Sequence, residues 1–211
     1  MKYISIDLET TGVDPNADQI LEFGAIIEDT ERQLSYNDIP KFAALVRHKR
    51  IFGSPIALEM NARIIKIFSD YDKIPSYQQS ERDSYKKENK IVEPHELVPL
   101  FYSFVSEHYF KSPVRFRPEA QPLKFTVAGK TFDAFDRNFL GNYADYNRYL
   151  SMQKRGIEPA HYFVDWKMDT ELPSMAICKE RAGINGNVAH IALSDAWDVV
   201  KLLRVAKEKI K

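Results

Sequence analysis

The chain has 211 residues, 44% of them hydrophobic, which is enough to bury one sizeable core, so we expect a single domain over residues 1–211. Its 30 basic and 30 acidic residues cancel, and this balance argues against tight nonspecific binding of long duplexes. Cys178 is the single cysteine and excludes an intrachain disulfide, and no stretch of sequence approaches a membrane span. A cytoplasmic protein that makes no use of a membrane is therefore expected.

Strand and helix patterns open the chain. Apolar residues that alternate with polar ones, or run together between turn signals, predict three strands, at residues 2–8, 20–27 and 42–46. Beyond them the spacing of apolar residues becomes helical, at Ile56, Met60 and Ile64. Ser54 is predicted to cap this helix, with Pro55 at its first position.

A polar segment and further helices follow. Residues 68–92 are rich in charged and polar side chains, and we predict a mobile insertion or a solvated excursion there rather than a domain. Residues 111–122 are a Pro-rich connector. Strands are predicted at residues 123–128 and 161–164, and helices at residues 94–109, 134–150, 172–182 and 194–209. This order of elements predicts an α/β fold with a mixed sheet flanked by helices.

Two carboxylates lie at the end of the first predicted strand, in the segment IDLETTG at residues 6–12. Because side chains alternate along a strand, Asp7 and Glu9 project from the same face. Their mutual repulsion calls for an offsetting charge, and hard divalent cations with oxygen ligands supply one. A strand end with two solvated acids is the alternative. Thr10 and Thr11 favour a functional site, because the turn they begin can offer amide and hydroxyl donors to a nucleotide end.

A third carboxylate, Asp136, lies near the start of the helix predicted at residues 134–150. An ordinary acid in the first turn of a helix is the alternative, since helix N-termini favour negative charge. Asp133 competes with it for any functional role. We prefer Asp136 because its apolar neighbours Phe135 and Phe139 would anchor it to the sheet.

A histidine and an aspartate stand five residues apart at the start of the last predicted helix, in the segment HIALSD at residues 190–195. In an uninterrupted helix they would point about 140° apart. His190 can therefore share a site with Asp195 only from the preceding loop or from a bent first turn. The glycines and asparagines at residues 183–187 predict such a flexible approach. A loop histidine that is satisfied locally is the alternative.

Taken together and in this order, the three segments resemble the DEDD superfamily of 3′–5′ exonucleases, in its histidine-containing DEDDh branch. That branch is related to the proofreading exonuclease subunit of bacterial replicative polymerases, ribonuclease T and oligoribonuclease. The resemblance covers roughly residues 1–210, apart from 68–92, and implies a ribonuclease H-like fold. It implies that two Mg²⁺ or Mn²⁺ ions are held by four carboxylates, those of Asp7, Glu9, Asp136 and Asp195.

The resemblance also implies that His190 accepts the proton of the attacking water. The expected reaction releases nucleoside 5′-monophosphates from the 3′ end of single-stranded DNA or RNA, or from short oligonucleotides. The sequence does not separate the two sugars, because that choice depends on contacts to the 2′-hydroxyl. A polymerase-associated proofreading subunit, with a polymerase as partner, is an alternative. A homodimer and a noncatalytic nucleic-acid-binding protein of the same fold are others.

Two stretches of the chain depart from the family pattern. Many relatives have a His-Asn pair shortly before the middle aspartate, where this chain has Lys130 and Thr131, and several have a histidine where it has Asn61. We predict substrate contacts at four residues, Thr10, Thr11, Asn61 and Lys130. The basic run at residues 47–50, and Arg115 with Arg117, are further candidates for contacts with a strand, with solvated loops as the alternative.

Overall fold

The structure, a computed structural model, describes residues 1–113, 116–143 and 146–209. Of residue 209 only the backbone is described. None of the helices in these ranges is long and apolar enough to cross a membrane. In chain order the elements are β1 (Lys2–Thr10), β2 (Ile20–Asp29), β3 (Lys41–Val46), α1 (Pro55–Met60), α2 (Ala62–Lys73), α3 (Gln79–Glu88), β4 (Ile91–Val92), α4 (Pro94–His108), β5 (Leu123–Phe125), β6 (Val127–Ala128), α5 (Asp136–Asn142), α6 (Tyr146–Tyr149), β7 (Leu150–Met152), a 3₁₀ helix (Pro159–Tyr162), α7 (Met175–Ala182) and α8 (Ala192–Lys209).

The main sheet is mixed and has the strand order β4-β3-β2-β1-β6. Strands β1, β2 and β3 are antiparallel neighbours, whereas β6 runs parallel to β1 and β4 runs parallel to β3. Strands β5 and β7 form a separate parallel pair. Helices α4 and α5 pack on one face and α7 and α8 on the other. The predicted α/β class, with a mixed sheet flanked by helices, is confirmed.

The alternation of side chains in β1 divides its residues between the two faces of the sheet. The even-numbered residues join an apolar cluster with α4 and α5, namely Ile4, Ile6 and Leu8. On the other face Tyr3 packs in a second cluster with α8, and the Ser5 hydroxyl donates to the Ala196 carbonyl at 2.8 Å. Asp7 and Glu9 continue this second face. The acidic end of β1 therefore lies on the side that α8 covers.

Gly24 in β2 lets helix α8 begin directly against the sheet. It lies opposite Asp7 in the register between β1 and β2. A Cβ atom at this position would lie 2.3 Å from the carbonyl carbon of Ala192 and 2.4 Å from the amide nitrogen of Leu193. Because glycine has no side chain, the first turn of α8 can rest on the strand and bring Asp195 to the acidic end of β1.

The structure corrects the expectation for residues 68–92. This segment holds the end of α2, all of α3 and β4. Phe68 and Tyr71 on α2 and Ile91 in β4 are buried in one apolar cluster, and β4 pairs in parallel with β3. The segment therefore forms regular structure that is anchored at the edge of the sheet, and its assignment as an insertion stays a prediction. A few apolar anchors are enough to fix a helix whose other side chains are polar and face solvent.

Two other predicted elements are interrupted. The strand predicted at residues 123–128 divides at Thr126, because β5 pairs with β7 whereas β6 pairs with β1. The helix predicted at residues 134–150 ends as α5 at Gly141 and Asn142, which are weak helix formers, and α6 and β7 follow. Residues 144 and 145 of that helix, and 114 and 115 of the predicted connector, lie outside the described residues.

The last predicted strand and the first predicted helix also differ from the structure. A 3₁₀ helix that begins at Pro159 replaces the strand predicted at residues 161–164. Proline cannot donate to a strand ladder, and the bridge to β6 is made earlier in the chain, by Ile157. Ser54 caps α1 through its side chain as predicted, but that helix lasts only six residues. Two of its predicted apolar residues are exposed, Ile56 and Met60.

Candidate active site

The turn that ends β1 uses its own side chains to hold its shape. The Thr10 hydroxyl donates to the Gly12 carbonyl at 2.6 Å, and the Thr11 hydroxyl accepts from the Gln19 amide at 2.9 Å. The Thr11 amide in turn donates to the Gln19 carbonyl at 2.9 Å. Both threonines are buried. The turn therefore fixes the direction in which β1 presents its two acidic residues.

Asp136 is the first residue of α5 and reaches the acidic segment of β1. Its Oδ1 accepts a hydrogen bond from the Leu8 amide at 3.1 Å, and the residue is only 3% exposed. Asp133, the competing acid, accepts instead from the Gly156 amide at 2.9 Å and pairs with Arg137 at 2.7 Å. The structure therefore brings Asp136 to the acidic end of β1 and gives Asp133 a separate role in holding a turn.

The loop before α8 brings the histidine to the same place. His190 has a φ of 49° and is exposed, and Asp195 follows in the first turn of α8. The Asp195 carboxylate accepts from the Ala189 amide at 3.3 Å, which draws the loop back over the start of the helix. One ligand atom each from Glu9, His190 and Asp195 lies within 4.8 Å of the others. The position of His190 in the loop agrees with the prediction from its spacing.

Comparisons with known proteins place this sequence in a family and this fold among solved structures. The family model for exonucleases described as RNase_T matches residues 4–203. The chain belongs to this exonuclease family. No curated protein matches the sequence at a significant level.

Solved exonuclease structures share the fold at low sequence identity. The nuclease domain of 3'hExo, a DEDDh family member bound to rAMP, is 15% identical with a TM-score of 0.61, over 99% of this chain and 92% of that one. Exonuclease I from Methylocaldum szegediense is 16% identical with a TM-score of 0.60, over 99% and 40% of the two chains. The zinc-bound form of the E. coli exonuclease I complex with single-stranded DNA is 16% identical with a TM-score of 0.60, over 99% and 41%.

This exonuclease family member therefore spans about 40% of the length of the exonuclease I chains that it matches. It covers nearly all of the 3'hExo nuclease domain. The predicted resemblance to DEDDh exonucleases and the ribonuclease H-like fold class are confirmed.

The acidic residues of the site are poorly solvated. Burial raises the pKa of all four carboxyl groups, and neighbouring carboxylates raise it further, at Asp7, Glu9, Asp136 and Asp195. The pKa of Glu9 rises to about 7 and that of Asp136 to about 8. A divalent cation would favour the ionised carboxylates, and hard oxygen ligands of this kind suit such ions. The donor set therefore fits the divalent metal ions that exonucleases of this family use.

Glu22, which lies opposite Glu9 in the neighbouring strand, is a fifth carboxylate beside the site that the sequence motifs do not predict. Glu22 is only 5% exposed, and its Oε2 accepts from the Arg63 guanidinium at 2.7 Å and from the Ala192 amide at 3.4 Å. The charge of Arg63 opposes the rise in the pKa of Glu9. The available signal is a lone acid within the apolar run at residues 20–27, which a buried strand tolerates only if the acid is paired.

Asn61 and Lys130, which lie where the chain departs from the family pattern, have different surroundings. Asn61 is buried between α1 and α2, and its Nδ2 donates to the carbonyls of Thr10 at 3.1 Å and Ala57 at 3.0 Å. It therefore joins this pair of helices to the end of β1. Lys130 is partly exposed after β6, and its charge opposes the rise that burial causes in the pKa of the Cys178 thiol. Their roles as substrate contacts stay predictions.

One residue of the basic run at residues 47–50 forms ion pairs within the protein. The Arg47 guanidinium pairs with the carboxylates of Asp72 at 2.5 Å and Glu93 at 3.6 Å. Lys49 and Arg50 are exposed. A role in holding a strand therefore stays a prediction for these two, and Arg115 lies outside the described residues.

Proposed function

We propose that the protein is a metal-dependent 3′–5′ exonuclease that releases nucleoside 5′-monophosphates from single-stranded nucleic acid or short oligonucleotides. One observation carries the proposal: three distant segments of the chain converge, so that carboxylates of β1, α5 and α8 and a loop histidine meet at one end of the sheet. Membership of the exonuclease family supports it.

Each residue then has a role in the hydrolysis. Two divalent ions, when bound, supply activation of water and stabilisation of the leaving 3′ oxygen. Four carboxylates would hold them, those of Asp7, Glu9, Asp136 and Asp195. The Leu8 amide orients the Asp136 carboxylate through its 3.1 Å hydrogen bond. His190, exposed beside Glu9 and Asp195, accepts the proton of the attacking water at its imidazole ring.

The relatives support the proposed substrate class. E. coli exonuclease I was solved with single-stranded DNA and the 3'hExo domain with rAMP, so these relatives support a single-stranded end or a mononucleotide as ligand without selecting one sugar. We propose that Thr10, Thr11, Asn61 and Lys130 border the bound nucleotide. A polymerase partner and a homodimer stay predictions from the sequence.

The proposal is tested with purified protein, Mg²⁺ or Mn²⁺, and single-stranded DNA and RNA, long and short, labelled at either end. We expect mononucleotides to be released from the 3′ end only, and chelation of the metal to stop the reaction. Internal cuts, or hydrolysis that persists in chelator, would contradict the proposal. Binding without hydrolysis would favour a noncatalytic nucleic-acid-binding protein of this fold.

Matched variants assign the residues. Asp136→Asn and His190→Ala should each abolish detectable hydrolysis while the protein stays folded, since each removes a group that acts on the reacting atoms. Asp133→Asn, three residues away and engaged with Arg137, should keep its activity. If Asp133→Asn were inactive and Asp136→Asn active, the assignment of the middle aspartate would be wrong.

A further inference from the structure

A buried ion pair joins the last two helices behind His190. Lys179 on α7 and Asp198 on α8 are each 3% exposed, and the Lys179 ammonium donates to Asp198 Oδ2. Asp198 follows Asp195 by three residues, about one helical turn. A buried ion pair contributes little stability beyond well-packed apolar side chains of the same size, because desolvation of both charges offsets their attraction. Stability alone therefore does not account for this pair.

The same ammonium group reaches the loop that leads to the histidine. Lys179 Nζ donates to the Asn187 carbonyl at 3.0 Å. Between α7 and this point the chain turns through Gly183 and Gly186, whose φ angles are 69° and 103°. Glycine adopts such angles readily, so these two residues leave the loop with many accessible conformations. The bond to Asn187 selects one of them.

His190 itself needs such a restraint. Its φ of 49° lies in the left-handed region, which a residue with a side chain adopts at a cost and keeps only when its surroundings hold it. Two hydrogen bonds do so immediately before it, from Lys179 Nζ to the Asn187 carbonyl and from the Ala189 amide to Asp195 Oδ1. The other polar anchor beside His190 is the Asp195 carboxylate, which is itself a proposed metal ligand, while Ile184 and Val188 pack against the apolar cluster of α7 and α8.

We propose that Lys179 is a positioning residue for the exonuclease reaction, with Asp198 as its counter-ion. By binding the Asn187 carbonyl it fixes the loop so that the His190 imidazole stays beside Glu9 and Asp195. This inference rests on the proposed function, because it assigns to the loop the task of presenting the proton acceptor. A small displacement of a catalytic base lowers the rate of the chemical step and leaves substrate binding largely intact.

The decisive variant is the double change Lys179→Met with Asp198→Leu. It removes both charges together and retains apolar volume, so no buried charge is left without a partner and the protein should fold. We expect kcat to fall about 10- to 100-fold and KM to change less than about twofold. Amide hydrogen exchange in residues 183–190 should become faster, a readout that is independent of activity.

Two further variants separate the loop contact from charge and folding. Lys201 also pairs with Asp198 but is partly exposed, so Lys201→Met removes a charge beside Asp198 without removing the bond to Asn187, and it should keep wild-type kcat and loop exchange. Lys179→Met alone cannot donate to the Asn187 carbonyl and leaves Asp198 paired with Lys201, so it should show the same selective loss of kcat, and it replaces the double variant if that one does not fold.

The outcomes distinguish this inference from the proposed function. An inactive wild-type protein would contradict the proposed function alone. Wild-type kcat together with wild-type loop exchange, in the folded double variant or in folded Lys179→Met, would overturn the role of Lys179. A fall in kcat that is accompanied by a similar rise in KM and by lower thermal stability would also overturn it, since these changes together indicate a purely structural role.

Discussion

Glu22 and Arg63 form an ion pair beside the proposed metal ligands. Burial raises the pKa of the Glu22 carboxyl, and the Arg63 guanidinium opposes that rise. Glu22 is almost fully buried, whereas the Arg63 side chain is 46% exposed. The Arg63 guanidinium therefore compensates the charge of Glu22 from the solvent side. The same carboxylate oxygen also accepts a hydrogen bond from the Ala192 amide at the start of α8.

At the scale of single residues, Arg63→Met should lower the free energy of unfolding by about 1 kcal/mol at pH 8. This loss is smaller than that of a fully buried ion pair, because solvent screens the half-exposed guanidinium. The loss should be smaller at pH 5. Without Arg63 the pKa of Glu22 rises further, so at low pH the carboxyl is protonated and needs no counter-charge. Urea unfolding in chelator at both pH values measures the difference.

A matched control lies on the same helix. Lys66→Met removes an exposed partner of Asp70 on α2 and should change stability little at either pH. Equal losses at pH 5 and pH 8 in Arg63→Met would show that the guanidinium acts through packing and not through the charge of Glu22.

How far single residues can be predicted depends on how local their signal is. Strand periodicity is enough to put Asp7 and Glu9 on one face, and the spacing of His190 and Asp195 requires a loop, which the structure contains. Glu22 escapes prediction because its apolar neighbours indicate only a buried strand. The pairing of Lys179 with Asp198 cannot be predicted either, because it depends on how α7 packs on α8.

At the scale of elements, the approach of α8 to β2 controls where the last aspartate lies. The long helices at residues 94–109 and 194–209 are predicted well because their apolar periodicity is a property of the segment itself. The strand at 123–128 is not, because its two halves pair with different partners. The role of Gly24 is likewise not predictable from its own segment, since its neighbour in space, Ala192, is 168 residues away along the chain.

Gly24→Ala should therefore destabilise the protein by about 1–3 kcal/mol and reduce hydrolysis, because the added methyl group displaces the first turn of α8. Urea unfolding and the labelled-strand assay measure the two effects. Gly141→Ala is the control. Its nearest neighbour would be an Asn147 side-chain nitrogen 3.6 Å away, and alanine favours the helix there, so its stability should be unchanged or slightly higher. Equal effects at both positions would contradict the close approach of α8.

At the scale of the whole molecule, the cluster of buried acids couples stability to pH and to metal. The folded-state pKa of Glu9 is about 7 and that of Asp136 about 8, both above the ordinary values of about 4 for unfolded chains. The folded protein thus binds more protons than the unfolded chain between these limits. In the absence of metal the free energy of unfolding should fall as pH rises from about 5 to about 8.

Mn²⁺ or Mg²⁺ should reverse this loss, and its stabilising effect should be larger at pH 8 than at pH 5, where protons compete for the same oxygens. Thermal unfolding from pH 5 to pH 8.5, with chelator or with metal, measures both trends. Asp136→Asn should flatten the metal-free dependence because it removes one of the raised groups. A metal-free stability that rises with pH would show that the acids are not held in the poorly solvated cluster.

The global arrangement could be predicted in class but not in detail. The order of strand and helix patterns, with the family resemblance, is enough for a mixed sheet flanked by helices. The role of residues 68–92 could not be predicted, because Phe68, Tyr71 and Ile91 anchor a segment whose average composition is polar. Composition measures solvent-facing side chains as heavily as buried ones, so sparse anchors leave little trace in it.

The short outer strands of the sheet limit how other chains can attach. The central strands β1 and β2 have nine and ten residues, whereas β4 and β6 at the edges have two each, and Ile157 already bridges to β6. An edge of that length exposes few unpaired backbone groups for an incoming strand. Fibril-like stacking through this sheet is therefore disfavoured, and so is the attachment of a partner by extending the sheet.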